Sequence, residues 1–275
     1  MTDGQTTLTY AATDRAGNSE TPKTLVIDLD QTPPTIAASH TPAPNALGWN
    51  NTDVTVSFAC ADTPSGVASC PSPTIISAEG ARQNATGTVV DEAGNSTTTT
   101  VTGISIDKTA PTVTYAGNAG SYGVLSTVTI TCAATDDPGG SGIASTTCQN
   151  VNGPAYSFST GTNSFAASAM DAAGNVGRGS TNFTLLVTTG DLCTLTSQFV
   201  QSSARYQALP PDERLKINQI ASALCRSLPS GQVAVAPTQK AQLLEAYRNG
   251  VSLLVSQGWL TAADGATLVR LSGAL

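Results

Sequence analysis

Apolar and polar residues alternate along the first two thirds of the chain. Val54-Thr55-Val56-Ser57-Phe58-Ala59-Cys60 places every second side chain on one face, and Val128-Thr129-Ile130-Thr131-Cys132 repeats the pattern. A period of two is typical of a β-strand with one face on a core. After Val187 the period changes to about 3.6, which is typical of amphipathic helices. The pattern therefore predicts a mainly β array followed by an all-α segment.

Four helices are predicted between residues 190 and 275. Pro211 opens the second helix, Gly258 ends the third, and Thr261 with Asp264 resembles a capping box at the start of the fourth. Short connections make neighbouring helices antiparallel, so a small bundle is expected. The core-facing residues are expected to be Leu192, Leu195 and Phe199 in the first helix, Ile217, Ile220, Ala221, Leu224 and Leu228 in the second, Leu244, Tyr247, Val251 and Leu254 in the third, and Leu268 and Leu271 in the fourth.

A five-residue segment, Asp-x-Ala-Gly-Asn, occurs three times in the β part and is typical of a tight hairpin. The Asp side chain accepts backbone hydrogen bonds, and the Gly takes the positive φ that closes the turn. The copies start 77 and then 80 residues apart, so the β part is a tandem array of units of nearly constant length. The turn residues are Asp14, Gly17 and Asn18, then Asp91, Gly94 and Asn95, then Asp171, Gly174 and Asn175.

The joint between units is also repeated. Asp30 precedes Pro34, and Asp107 precedes Pro111, at the same spacing. Because proline fixes φ and extends the residue before it, the last strand of one unit is expected to run almost directly into the next unit through a short, stiff joint. We therefore predict four domains: residues 1–31 as the C-terminal part of a truncated repeat, 32–108 and 109–189 as complete repeats, and 190–275 as the helical bundle. Residues 187–190 are the one connection expected to be loose.

Six cysteines form three local pairs: Cys60 with Cys70, Cys132 with Cys148, and Cys193 with Cys225. An even count favours disulfides, and a zinc site is the alternative. The single histidine, His40, lies far from every pair in the sequence, so disulfides are the preferred interpretation. In each complete repeat the bond is expected to connect a strand end across a variable loop, and not to bridge two sheets around a Trp as in antibody domains.

Charge is sparse and mostly acidic. Charged residues make up 11% of the chain, with a net charge of −9 in residues 1–189 and +2 in residues 190–275. An acidic array repels phosphates, and the tail lacks Lys/Arg clusters, so a nucleic-acid partner is excluded. Because no apolar run reaches about 18 residues, no membrane insertion is expected.

Oxidised cysteines imply an extracellular or cell-surface location. The N-terminus shows no charged region followed by an apolar one, and the first unit lacks its earlier strands. We therefore expect the chain to continue a longer secreted protein whose signal peptide lies outside this sequence.

The array resembles the tandem immunoglobulin-like repeats of bacterial cell-surface and secreted proteins. The resemblance rests on the Cys...Ser-Gly-Val-Ala-Ser-Cys segment, the Asp-x-Ala-Gly-Asn hairpin and the Ile-Asp-Lys-Thr-Ala-Pro joint, and covers residues 1–189. It implies β-sandwich domains that act as a stalk in adhesins or a spacer in large secreted enzymes. The helical segment looks like the domain named FIMAH, which follows similar repeats in secreted bacterial proteins.

No catalytic site is expected. His40 is the single candidate base for a Ser/His/Asp arrangement and is expected on the surface. Asp136 and Asp137 are adjacent, and adjacent strand residues point to opposite faces, so they make a poor acid/base pair. Asp28 and Asp30 can share a face, but they lie at a joint without an obvious cleft.

The sequence thus predicts a non-catalytic structural or adhesive spacer whose partners are an unknown surface ligand or neighbouring domains of a longer chain. Two alternatives stay open. One is an adhesin segment stiffened by Ca²⁺, with Asp28, Asp30 and Asp107 as candidate ligands, because oxygen atoms on loops suit that ion. The other is a carbohydrate-binding accessory region of a secreted hydrolase, which requires a cluster of exposed aromatic residues that the sequence does not reveal.

Overall fold

The computed structural model describes residues 2–228 and 236–275, and within these ranges fifteen β-strands precede five α-helices. The predicted fold class, mainly β with an all-α C-terminal part, is confirmed. The chain divides into two compact units. The first comprises Met1–Pro111, Thr135–Ser145 and Met170–Val176, and the second comprises Thr112–Ala134, Thr146–Ala169 and Gly177–Leu275.

The chain up to residue 111 contains eight strands. The first two pair as an antiparallel ribbon with Leu8 opposite Leu25, and both side chains are about half exposed. The other six form two three-stranded sheets, ordered β3-β4-β6 and β5-β7-β8. The strands are β1 Gly4–Tyr10, β2 Lys23–Leu29, β3 Thr35–Thr41, β4 Val54–Ala61, β5 Val67–Ser69, β6 Thr74–Ile76, β7 Gly80–Asp91 and β8 Ser96–Ile106.

These two sheets face each other across a small core. Val54 and Val56, on β4, are fully buried and contact a cluster that includes Ala85 on β7 and Ile104 and Ile106 on β8. The alternation along β4 thus places its valines inside, as the period of two predicts. The result is a sandwich held by few and mostly small side chains.

The second repeat is also a sandwich. One sheet has the order β13-β11-β9, and the other has the order β10-β15-β14-β12, with β10 parallel to β15. The strands are β9 Thr112–Ala116, β10 Ser121–Gly123, β11 Thr127–Thr135, β12 Ile143–Thr146, β13 Val151–Pro154, β14 Gly161–Asp171 and β15 Val176–Leu186.

The helices are α1 Thr189–Ser202, α2 Ala204–Gln207, α3 Pro211–Cys225, α4 Pro237–Ser256 and α5 Ala262–Ser272. The predicted capping box is present: the Thr261 hydroxyl accepts from the Asp264 backbone N–H, and the Asp264 carboxylate accepts from the Thr261 backbone N–H. The short α2 was not predicted. The placement of Ile220 in the core was wrong, because its side chain is 53% exposed while the neighbouring Ala221 is 2% exposed.

The helices do not form a separate core. Within the second compact unit, Val128, Ile130 and Phe183 on strands belong to the same buried cluster as Leu192 and Leu268 on helices. The Arg270 guanidinium on α5 donates hydrogen bonds to the backbone oxygens of Tyr156 and Phe158. This packing differs from the expectation of a loose connection at residues 187–190.

Two of the three predicted disulfides are present. Cys60–Cys70 and Cys132–Cys148 join Cα atoms 5.9 and 5.5 Å apart. The expectation that they do not bridge sheets was wrong. Cys60 lies on β4 of one sheet, and Cys70 directly follows β5 of the facing sheet. Closing a loop of this size stabilises a fold by about 3 kcal/mol in the chain-entropy model, which matters where the core is small.

The third pair is not a disulfide in this structure. Cys193 on α1 and Cys225 at the end of α3 carry free thiols that lie close enough to influence each other electrostatically. Antiparallel helices therefore bring the two sulfur atoms together, as expected, without a covalent bond. Burial raises the pKa of both thiols.

Alkylation with iodoacetamide at neutral pH tests this arrangement. A thiol with a raised pKa holds little thiolate, which is the reactive form, so Cys193 and Cys225 should react slowly in the folded protein and fast after unfolding. The four disulfide cysteines should react only after reduction. Peptide mass mapping measures each site, and alkylation of Cys60 or Cys132 without reductant would contradict the assignment.

Candidate metal centres at the joints

The three Asp-x-Ala-Gly-Asn segments close hairpins in the same way. In each, the Gly backbone N–H donates to the Asp carbonyl, and Gly17, Gly94 and Gly174 have φ of +90°, +94° and +98°. The Asn side chain donates back to the carboxylate of its own Asp, at 2.9 Å for Asp14, 2.9 Å for Asp91 and 2.8 Å for Asp171. The hydrogen bond from the Asn18 side chain lowers the pKa of Asp14. The motif thus encodes a hairpin and a fixed Asn side chain together.

Two of these Asn side chains also bind the joints. Asn95 Nδ2 donates to the backbone oxygen of Asp30 at 3.2 Å, and Asn175 Nδ2 donates to those of Asp107 at 2.9 Å and Thr109 at 3.4 Å. We call these contacts the joint clamps. Asn18 makes no such contact among the described residues, because its amide bonds only Asp14.

The joint carboxylates in turn hold the Ser-Gly loops that follow the first cysteine of each repeat. Asp30 accepts hydrogen bonds from the backbone N–H and hydroxyl of Ser65. Asp107, which is fully buried, accepts from the backbone N–H of Ser141 at 2.6 Å and of Thr109 at 3.1 Å. An ionised carboxylate is tolerated at a buried position only when donors satisfy it, so the loop must close on the joint.

Each joint gathers three carboxylates. The first cluster is Asp30, Asp62 and Asp91, and the second is Asp107, Asp136 and Asp137. In each cluster, one carboxylate oxygen per residue lies within 4.8 Å of the others. Ca²⁺ prefers six to eight oxygen ligands and tolerates irregular geometry, so both clusters offer part of a Ca²⁺ coordination shell.

The clusters differ in how their charge is compensated. Hydrogen bonds from Ser65 lower the pKa of Asp30. In the second cluster, Asp136 Oδ1 and Asp137 Oδ1 are buried and have no hydrogen-bond partner among the described residues. Burial raises the pKa of Asp137, and the neighbouring Asp107 and Asp136 charges add to this. The second cluster is therefore the one that gains more from a bound cation.

The structure places the sequence candidates differently from expectation. Asp30 and Asp107 lie in the clusters, whereas Asp28 accepts a hydrogen bond from Gln5 and lies outside them. Asp62, Asp136 and Asp137 were not among the predicted candidate ligands, and Asp91 was predicted as a hairpin residue. Asp136 and Asp137 were predicted to point to opposite faces, but their carboxylates converge on Asp107. The reason is that β11 ends at Thr135, so the strict alternation of a strand does not extend into the following loop.

No family model and no curated protein matches the chain. Among solved structures, it is similar to the fibronectin(III)-like modules of Clostridium thermocellum CbhA, with 13% identity over 56% of this chain and 95% of that one, and a TM-score of 0.26. It is also similar to extracellular cadherin domains 3–6 of protocadherin gamma B2, with 14% identity over 67% of this chain and 57% of that one, and a TM-score of 0.29.

A third similar structure comes from a 1.5-MDa bacterial ice-binding adhesin, with 16% identity over 57% of this chain and 66% of that one, and a TM-score of 0.26. At such low identities and TM-scores these similarities assign no function.

Two isosteric substitutions should shift stability in opposite directions without divalent cations. Asp30→Asn should lower the melting temperature at neutral pH. The native pKa of Asp30 is lowered from its ordinary value of 3.8, so the ionised carboxylate stabilises the fold at pH values above 3.8. This stabilisation is lost as the pH falls through the native pKa. Asp137→Asn should raise the melting temperature, because the raised native pKa makes ionisation of Asp137 unfavourable at neutral pH.

Melting curves recorded from about pH 8 downward measure both effects. The effect of Asp137→Asn should fade as the pH falls from the raised native pKa toward 3.8, whereas the effect of Asp30→Asn should fade only below 3.8. Destabilisation by Asp137→Asn at neutral pH would contradict the like-charge description of the second cluster.

Proposed function

We propose that this chain is a non-catalytic structural or adhesive spacer of a bacterial extracellular protein, which extends or presents neighbouring modules at a surface. The observation that carries the proposal is the recurrence of the joint clamp. Asn95 with Asp30 and Asn175 with Asp107 use the same atoms at both joints. The first repeat has a small core, yet side-chain hydrogen bonds are made to the connections between repeats. This favours a role that depends on the stiffness of those joints.

The location and the absence of catalysis belong to the same proposal. The two disulfides favour an oxidising compartment. In the described part of the chain, no helix has the length and apolar character needed to cross a bilayer. His40, the single candidate base, lies exposed on β3, whereas a catalytic base is expected in a cleft. A FIMAH-like identity for the helices is proposed from their pattern and their position after the repeats.

Proteolysis at the joint tests its stiffness. Lys108 is the one lysine of the second joint, and its ammonium is held by Asp53 at 2.8 Å and the Ser77 carbonyl at 2.7 Å. A lysine-specific protease should cleave slowly after Lys108 in the native protein. Asn175→Ala removes the clamp and should speed this cleavage roughly fivefold, about the value of one hydrogen bond.

Asn18→Ala is the matched control, since it removes the equivalent hairpin Asn that does not bind a joint. Its cleavage after Lys108 should equal that of the native protein, as quantified by mass spectrometry over time. Fast cleavage after Lys108 in the native protein, or equal rates in the Asn175 and Asn18 variants, would contradict a stiff clamped joint.

The second candidate function is a spacer stiffened by Ca²⁺. It is favoured by the two carboxylate clusters and by one oxygen atom each of Asp136 and Asp137 that has no partner within residues 2–228 and 236–275. Asp30, Asp62 and Asp91 would hold one ion, and Asp107, Asp136 and Asp137 the other. The ion would supply charge neutralisation that the hydrogen bonds of the second cluster do not provide.

Calorimetric titration with Ca²⁺ up to about 1 mM, a typical range for extracellular modules, should show heat and a raised melting temperature. Asp137→Asn should remove the response of the second cluster. Asp28→Asn is the matched control, because this neighbouring carboxylate lies outside both clusters. Absence of heat with an unchanged melting temperature would exclude this function and leave the spacer proposal standing.

A further inference from the structure

A groove on the second sandwich contains aromatic side chains that are scattered in the sequence. Tyr115 on β9, Phe158 in the segment that precedes β14, and Phe165 on β14 line it together, within the second compact unit. Its volume is about 310 Å³. All three rings are half-buried, so part of each faces the groove.

The phenylalanine rings are held rigidly. Phe165 stacks on the fully buried Phe183, with ring centroids 5.9 Å apart, and Phe158 meets the edge of the same ring at 5.3 Å. Rings anchored in a core lose little conformational freedom when a ligand binds. The groove therefore has a preformed apolar floor.

Its rim consists of amides. Gln149, Asn150 and Asn152 line the groove and are exposed. Asn150 Oδ1 accepts from the Cys132 backbone N–H at 2.8 Å, which fixes this side chain and leaves its NH₂ group open. Among the described residues, the side chains of Gln149 and Asn152 have no hydrogen-bond partner. Each amide offers both donors and an acceptor.

The groove also excludes charge. None of its lining residues is Asp, Glu, His, Lys or Arg, although the whole chain carries a net charge of −7. A cationic or anionic ligand would find no counter-charge there. An uncharged ligand with an apolar face and many hydroxyls could pack its face on the aromatic rings and form hydrogen bonds between its hydroxyls and the amides.

We propose that this groove binds a neutral oligosaccharide. Sugar rings present C–H groups on a face and hydroxyls around the rim, which matches the aromatic floor and the amide rim. The inference goes beyond the spacer proposal and is independent of the joints, which lie in the other compact unit.

The groove continues along the sandwich. A second depression of about 410 Å³ shares Thr147 and Ala166 with the first and adds the hydroxyls of Ser168 and Ser180. Two adjoining depressions suit a chain of several sugars better than a monosaccharide. Arg178, exposed in this extension, is the one charged residue along it.

Binding is tested with the full chain and defined probes: cellohexaose, xylohexaose and chitohexaose as neutral oligosaccharides, and hexagalacturonate as an acidic one. Calorimetry should detect at least one neutral probe. The double variant Gln149→Ala/Asn152→Ala should bind it roughly tenfold more weakly, because two hydrogen bonds are lost. The melting temperature should not change, since both side chains are exposed and unpaired. Tyr115→Ala should also weaken binding.

The matched control is Gln242→Ala/Asn249→Ala, which makes the same two changes on the exposed side of α4 and should leave binding unchanged. Binding of none of the neutral probes would overturn the proposal. Equal loss in the control variant would overturn it as well, and so would binding restricted to hexagalacturonate that depends on Arg178 and not on the amide pair.

Discussion

The burial of the Asp107 carboxylate is the constraint on which the second joint depends. A fully buried carboxylate must be met by donors, and Thr109 and Ser141 supply backbone N–H groups. Those donors lie on a joint and on a loop that are distant in sequence. The hydrogen bonds to this one carboxylate therefore hold the Ser141 loop against the joint. Asn175, in the hairpin between β14 and β15, binds the same joint through the backbone oxygen of Asp107. Asp30 repeats the arrangement at the first joint with a less buried carboxylate.

The cores explain why such contacts carry weight. In the first complete repeat, the buried cluster consists of valine, isoleucine and alanine side chains, and apolar burial of this extent stabilises a small domain only marginally. A disulfide between the facing sheets restricts the unfolded chain and compensates in part. The second repeat gains stability in another way. Its sandwich and the C-terminal helices share one larger core, which includes Tyr122, Phe183 and Tyr247.

The carboxylate clusters at the joints and the aromatic groove, the two regions for which binding is proposed, differ in chemistry. The joints concentrate carboxylates, and two oxygen atoms of the second cluster have no hydrogen-bond donor in the described part of the chain, so its electrostatics favour a cation. The groove of Tyr115, Phe158 and Phe165 has no acidic or basic side chain in its lining, and within the described ranges the amides of Gln149 and Asn152 have no hydrogen-bond partner. A spacer that also holds a glycan would combine stiffness from the joints with weak, uncharged recognition on a sandwich face.

The amino-acid sequence by itself determined the features that depend on local spacing. The period of two along Val54 to Cys60, the Asp-x-Ala-Gly-Asn hairpins, the capping box at Thr261 and the pairing of Cys60 with Cys70 all involve neighbours within about one or two elements. Tertiary structure alone decided which distant groups meet. In the tertiary structure, Asp136 and Asp137 lie next to Asp107 just after β11 ends, and Cys60 and Cys70 lie on facing sheets. Cys193 and Cys225 remain thiols. The groove combines residues of three strands and the segments between them. Periodicity assigns a side chain to a face, but only the packing of sheets and loops sets which faces and charges come into contact.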